Sequence, residues 1–139
     1  MKKFIFALAL VMSGCASTQY GNFLKSNDDA NEIIAIDAVE KVSKIYLPAK
    51  TTFSLNQKIK ANDVFGRLFI NGLRDKGFAV EEFRKDSKDS PVGTVLGYTL
   101  DENDGSYRIS IYSGDEVLSR AYKNDSGMVV VAGAWSKKE

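Results

Sequence analysis

The chain has 139 residues, 44% of them hydrophobic, with 19 basic and 18 acidic side chains and a formal charge of +1. That length holds one domain with a real core and is too short for two. The near-balance of charge gives no electrostatic case for binding nucleic acid or an anionic bilayer surface. There is no histidine and a single cysteine, which removes the usual general base, the commonest metal ligand and any disulfide within one chain.

Lys2 and Lys3 open the chain, residues 4–12 are all apolar, and the small Ser13 and Gly14 lead into Cys15. A short basic start before an apolar run is the layout of a secretory signal. The run is too short to span a bilayer, which takes about 20 residues. The ending Met12-Ser13-Gly14-Cys15 resembles the lipobox of bacterial lipoprotein precursors. The resemblance implies that residues 1–14 are removed and that Cys15 becomes a lipidated N-terminus carrying diacylglycerol and an N-acyl chain. Cysteine suits that reaction because its thiolate is a strong nucleophile near neutral pH. Ala16 follows where an Asp would hold such a protein in the inner membrane, so the resemblance implies an outer-membrane anchor. The mature chain, with 17 basic and 18 acidic residues, carries −1, so lipid rather than charge is expected to hold it. One acyl chain binds marginally, at about 0.8 kcal/mol per buried CH2, and two or three make release slow.

Residues 15–28 comprise the lipidated Cys15 and a polar, aperiodic stretch that reads as a flexible tether, with the globular domain spanning residues 29–139. A first helix is predicted over residues 29–46, from Ile34, Ala38, Val42 and Ile45 at helical spacing, stopped by Pro48. Residues 51–55 alternate and are β-branched, predicting a short strand. A second helix is predicted from a cap at Asn62 or Asp63 through Leu73, with Gly77 as its left-handed C′ residue and Phe78 packing back on Leu73. Gly66 and Gly72 weaken it by about 1 kcal/mol each relative to Ala, which suggests close packing against another element. Strands follow over residues 78–83, 94–100, 107–112, 117–122 and 128–135, the last four joined by tight turns, of which Asn103-Asp104-Gly105 is the clearest. Four strands so joined make an antiparallel meander. The fold class is α+β, with two helices packed on an antiparallel β-meander sheet.

Catalytic patterns are missing. No Ser has a Lys three positions on, and there is no phosphate loop or dinucleotide turn. The neighbouring carboxylates Glu81-Glu82, Asp101-Glu102 and Asp115-Glu116 would point to opposite faces of a strand. The run from Asp101 to Gly105 has its Gly one position early for a calcium loop and lacks the Glu that closes one. Arg84, Lys85 and Lys88 interleave with Asp86 and Asp89 and read as a solvated stretch. The sequence therefore points away from an enzyme, with no catalytic or metal residue assigned. The last predicted strand is apolar on both faces, with Val129, Val131 and Trp135 on one of them. Either other elements cover both faces, or one is a protein interface that includes Trp135.

Several stretches together resemble the TrbH family of lipoproteins encoded with conjugative transfer genes of the P-type. They are Tyr46-Leu47-Pro48-Ala49-Lys50-Thr51, Phe65-Gly66 with Leu68, and Leu73-Arg74-Asp75-Lys76-Gly77-Phe78-Ala79-Val80. Further along come Leu96-Gly97-Tyr98-Thr99-Leu100-Asp101, Tyr107-Arg108, Leu118-Ser119-Arg120-Ala121-Tyr122 and Gly133-Ala134-Trp135. Pro48 stands alone where a Pro pair is expected. The resemblance implies a structural lipoprotein of a type IV secretion or mating-pair apparatus, at the outer membrane and facing the periplasm. It implies contacts with secretion-channel core proteins, homo-oligomerisation within the complex, and no cofactor beyond the lipid on Cys15. The alternative is a free-standing binding lipoprotein for peptidoglycan, a small ligand or mating exclusion.

Overall fold

The computed structural model describes residues 19–25, 28–86 and 88–139. Cys15, the leader and residues 16–18, 26 and 27 of the expected tether lie outside these. Helix α1 (Asp28–Ile45) buries Ala30, Ile34, Ala38 and Val42, spaced four apart, along one stripe. Helix α2 (Val64–Asp75) buries Phe65, Phe69 and Leu73 in the same way. Asp63 caps α2 by accepting from the Gly66 N–H at 2.8 Å. The helix ends in a Schellman motif: Phe78 N–H donates to Leu73 O at 3.1 Å and Gly77 N–H to Arg74 O at 2.9 Å. Gly77 supplies the φ of +97° that this ending requires.

The strands are β1 (Gly21–Asn22), β2 (Thr52–Leu55), β3 (Ala79–Glu81), β4 (Thr94–Asn103), β5 (Ser106–Ser113), β6 (Glu116–Asp125), β7 (Met128–Val131) and β8 (Ser136–Lys138). They form one sheet in the order β3-β2-β4-β5-β6-β7, with β1 also on β4 and β8 also on β6. From β4 to β7 the predicted meander is present. Its first turn uses Asp104 and Gly105 at φ of 48° and 75°, the paired positive values of a tight hairpin.

The sheet as a whole is mixed, which corrects the expectation of an all-antiparallel one. β2 runs parallel to both β3 and β4, and β1 runs parallel to β4. The cause is α2, which carries the chain from the end of β2 back to the start, so β3 must run the same way. The expected tether is also in part built into the domain. β1 pairs with Thr99 and Leu100, and Phe23 N–H donates to Leu100 O at 2.8 Å.

Both helices pack on one face of the sheet, where Phe53, Leu96, Tyr98, Leu100, Ile109, Ile111, Leu118 and Tyr122 are fully buried. Phe65 and Phe69 of α2 meet the Tyr98 ring with centroids 4.9 and 6.0 Å away. The helices also meet each other at Gly72, where a Cβ would lie 2.7 Å from a methyl of Val39. Gly66 is equally constrained, since a Cβ there would run into the Tyr98 hydroxyl and the Asp63 carboxylate. Both glycines thus permit the close approaches that their helix-weakening cost suggests. Gly72→Val should lower stability by about 1–3 kcal/mol through overpacking, read as a lower urea midpoint. An unchanged midpoint would mean that α1 and α2 do not touch there.

Candidate functional site

Of the residues singled out at the C-terminal end, Val129 and Val131 lie on the helix-covered face of β7, and Trp135 packs against the same core from the loop that follows. β7 stops at Val131, residues 132–135 leave the sheet, and β8 resumes on the same strand, β6. The single strand expected over residues 128–135 therefore ends at Val131, and a separate short strand begins at Ser136. Ala132, Gly133 and Ala134 are exposed and offer little side chain to bury. Val129 is buried against the helices, Val131 on the same face is 47% exposed, and Trp135 is half-buried on a loop.

Trp135 covers a polar node. The Arg120 guanidinium stacks over its ring, 5.6 Å from the centroid. The same guanidinium donates from Nε to Gly133 O at 2.9 Å and from Nη1 to both Asp37 carboxylate oxygens, at 2.8 and 3.1 Å. Tyr122 donates its hydroxyl to Asp37 Oδ2. Asp37 on α1 is thereby tied to β6 and to the loop after β7. Trp135 is a cover for this node rather than a free contact aromatic.

A second node ties the N-terminal segment to the core. Asp63 Oδ1 accepts from Gly66 N–H and from Asn22 Nδ2, the latter at 3.0 Å, while Tyr98 donates its hydroxyl to Oδ2. Asn22 also donates to Asn31 Oδ1 at 2.7 Å and accepts from Leu24 N–H at 3.0 Å. One buried carboxylate thus joins β1, β4 and α2, and Asn22 extends the network to α1.

Neither node was visible in the sequence, where Asp37, Asp63, Tyr98 and Tyr122 lie far apart and carry no spacing signal. Each buries a tyrosine beside a carboxylate, and burial, followed by the hydrogen bond to that carboxylate, pushes both phenols up from their ordinary value. A phenol whose pKa is higher folded than unfolded stabilises the protonated, folded state. The stability is complete below the unfolded pKa of about 10 and is lost as pH rises above it. Urea midpoints should therefore hold to about pH 9.5 and fall steeply beyond. Tyr98→Phe and Tyr122→Phe should each be less stable at neutral pH and show a shallower alkaline decline. An alkaline slope unchanged in both variants would refute the coupling.

The sheet face away from the helices carries no helix. On it lie Val95 and Met128, 37% and 68% exposed, and half-buried Tyr112, Val117, Ala121 and Val130. Tyr20 packs edge-on against Tyr112, ring centroids 5.1 Å apart, so the N-terminal segment enters across this face. Between these residues sit small polar side chains, with Ser110 and Ser119 hydroxyls 3.0 Å apart. The result is a half-apolar surface crossed by serines, with the charges of Asp101, Arg108 and Lys123 towards one end of the strands. Among the described residues no group of three or more Cys, Asp or Glu could hold a metal ion, and no helix is long and apolar enough to cross a membrane.

The family model for conjugal transfer protein TrbH matches residues 17–139, the whole of the described domain. No curated protein and no solved structure matches the chain.

Proposed function

The chain belongs to the conjugal transfer protein TrbH family, and from that premise we propose that it is a lipid-anchored structural subunit of the conjugative transfer apparatus. Its place is the periplasmic side of the outer membrane, held by diacylglycerol and an N-acyl chain on Cys15, and it stabilises the envelope-spanning channel through protein contacts. The observation that carries this reading is the family match, which covers the domain directly behind a lipobox-like Met12-Ser13-Gly14-Cys15. The docking of β1 adds a physical reason. The five residues that follow Cys15, through Tyr20, reach at most about 18 Å, so the lipid would hold the domain close against the bilayer. The Asn22–Asp63 bond would pass any pull on the anchor into the core.

The function is structural rather than catalytic, with no cofactor beyond the lipid. We assign the docking surface for channel proteins to the helix-free sheet face rather than to Trp135. Interfaces favour aromatic and methionine side chains, and this face offers Tyr112, with uncharged partners Gly97 and Val117, and the exposed Met128, with Lys123 and Asp125 as a charged rim beside Val130 and Met128. Repeated copies, each fixed by its own lipid, would gain avidity from tethering. The test is the double variant Tyr112→Ala/Val130→Lys, assayed for plasmid transfer from donor cells. Transfer should fall at least about tenfold, the effect of truncating one strong interface anchor, with the amount of folded protein unchanged. Full transfer by a folded variant would remove this face from the account.

A further inference from the structure

Although the sequence spreads its charges evenly, the fold collects positive ones in one place. At the C-terminal ends of the parallel strands β2 and β3 lies a cleft of about 740 Å³. Crevices at that end of parallel strands are where α/β units hold ligands, because the loops there diverge. Arg67 and Arg74, two turns apart on α2, form one wall, with Lys58 and Lys60 from the loop before α2 and Lys85 from the loop after β3 forming the others. Glu82 is the single carboxylate in the lining against these five cations. Among the described residues none of the five is in an ion pair. Leu55, Ile59, Ile70 and Phe83 supply apolar surface between them, with Phe83 42% exposed.

We propose that this cleft docks an acidic protein segment carrying one large apolar side chain. Cations on three walls surround a chain of carboxylates, whereas a flat anionic bilayer would meet only the rim. The apolar surface needs a side chain to fill it, which a free phosphate lacks. Five cations that repel one another in a concave site raise the local potential, so binding should be fast and strongly salt-dependent. The cleft is distinct from the sheet face assigned to channel proteins. Its occupant is therefore a further partner, and damage to one surface should leave the other working.

The test uses the full lipoprotein in detergent micelles with a labelled seven-residue peptide, Asp-Glu-Asp-Phe-Asp-Glu-Asp, followed by fluorescence anisotropy. Saturable binding is expected, weakened at least tenfold between 50 and 300 mM salt, both values on the order of ordinary screening conditions. It should be weakened at least tenfold again in Lys60→Glu/Arg67→Glu. Both substituted side chains are exposed, and an unchanged urea midpoint confirms that the variant is folded. Replacing Phe by Ser in the peptide should cost several-fold, as loss of the apolar anchor. Equal binding to wild type and the folded double variant would overturn the proposal. So would absence of peptide binding, including the case in which phosphatidylglycerol vesicles, added to the Cys15→Ser protein, bind through Lys60 and Arg67 instead.

Discussion

Asp63→Ala should be among the most destabilising single substitutions in the domain, by about 3–5 kcal/mol. Three groups are deprived of their acceptor at once: the Gly66 N–H at the start of α2, the Tyr98 hydroxyl and the Asn22 amide. Loss of a helix cap costs about 1 kcal/mol. A hydrogen bond to a charged group contributes roughly 1.5–3 kcal/mol, and its stranded buried partner costs more than the bond itself gained. Against a total stability of about 5–15 kcal/mol, the variant should show a much lower midpoint of cooperative unfolding in urea. Asp63→Asn retains an acceptor oxygen for the cap and should fall between the two. A loss below about 1 kcal/mol for Asp63→Ala would show that water, not this network, satisfies those groups.

The second large effect concerns the anchor. Cys15→Ser is expected to take up no labelled palmitate, to leave the outer-membrane fraction and to fail to restore transfer in donor cells lacking the wild-type protein. The hydroxyl of serine is a far weaker nucleophile than a thiolate at neutral pH, and the expected mature chain, at −1, carries no net charge that would draw it to an anionic bilayer in place of the lipid. Ala16→Asp is the complementary variant. It keeps the lipid, and the lipobox resemblance implies that it is retained in the inner membrane. Outer-membrane recovery of Cys15→Ser would remove the lipid from the account.

What the sequence disclosed was what is local. The four-residue spacing of Ile34, Ala38 and Val42 located α1. The cap at Asp63 and the Gly77-Phe78 ending located α2 to within a residue, because capping is settled by a few neighbouring side chains. Asn103-Asp104-Gly105 marked its hairpin for the same reason. What it concealed was non-local. Alternation in residues 51–55 predicts a strand but not its direction, so the parallel β2–β3 and β2–β4 pairing could not be read from it. Val129, Val131 and Trp135 alternate correctly for one strand face. The chain nevertheless leaves the sheet after Val131, where Gly133 O meets Arg120, a residue thirteen positions earlier. The Asp63 and Asp37 nodes and the cleft of five cations depend on the same kind of assembly. Lys58, Arg67 and Lys85 look like scattered solvated charges until β2, α2 and β3 bring them to one end of the sheet.

The most direct measurement is recovery of the tagged lipoprotein from gently solubilised outer membranes of donor cells, with Cys15→Ser in parallel and all co-purifying proteins identified. The structural-subunit account predicts that channel proteins of the transfer apparatus come down with the wild type and are missing from the Cys15→Ser sample. Recovery of the lipoprotein alone, from membranes that demonstrably contain the assembled channel, would contradict it and would mark the chain as a free-standing binding lipoprotein.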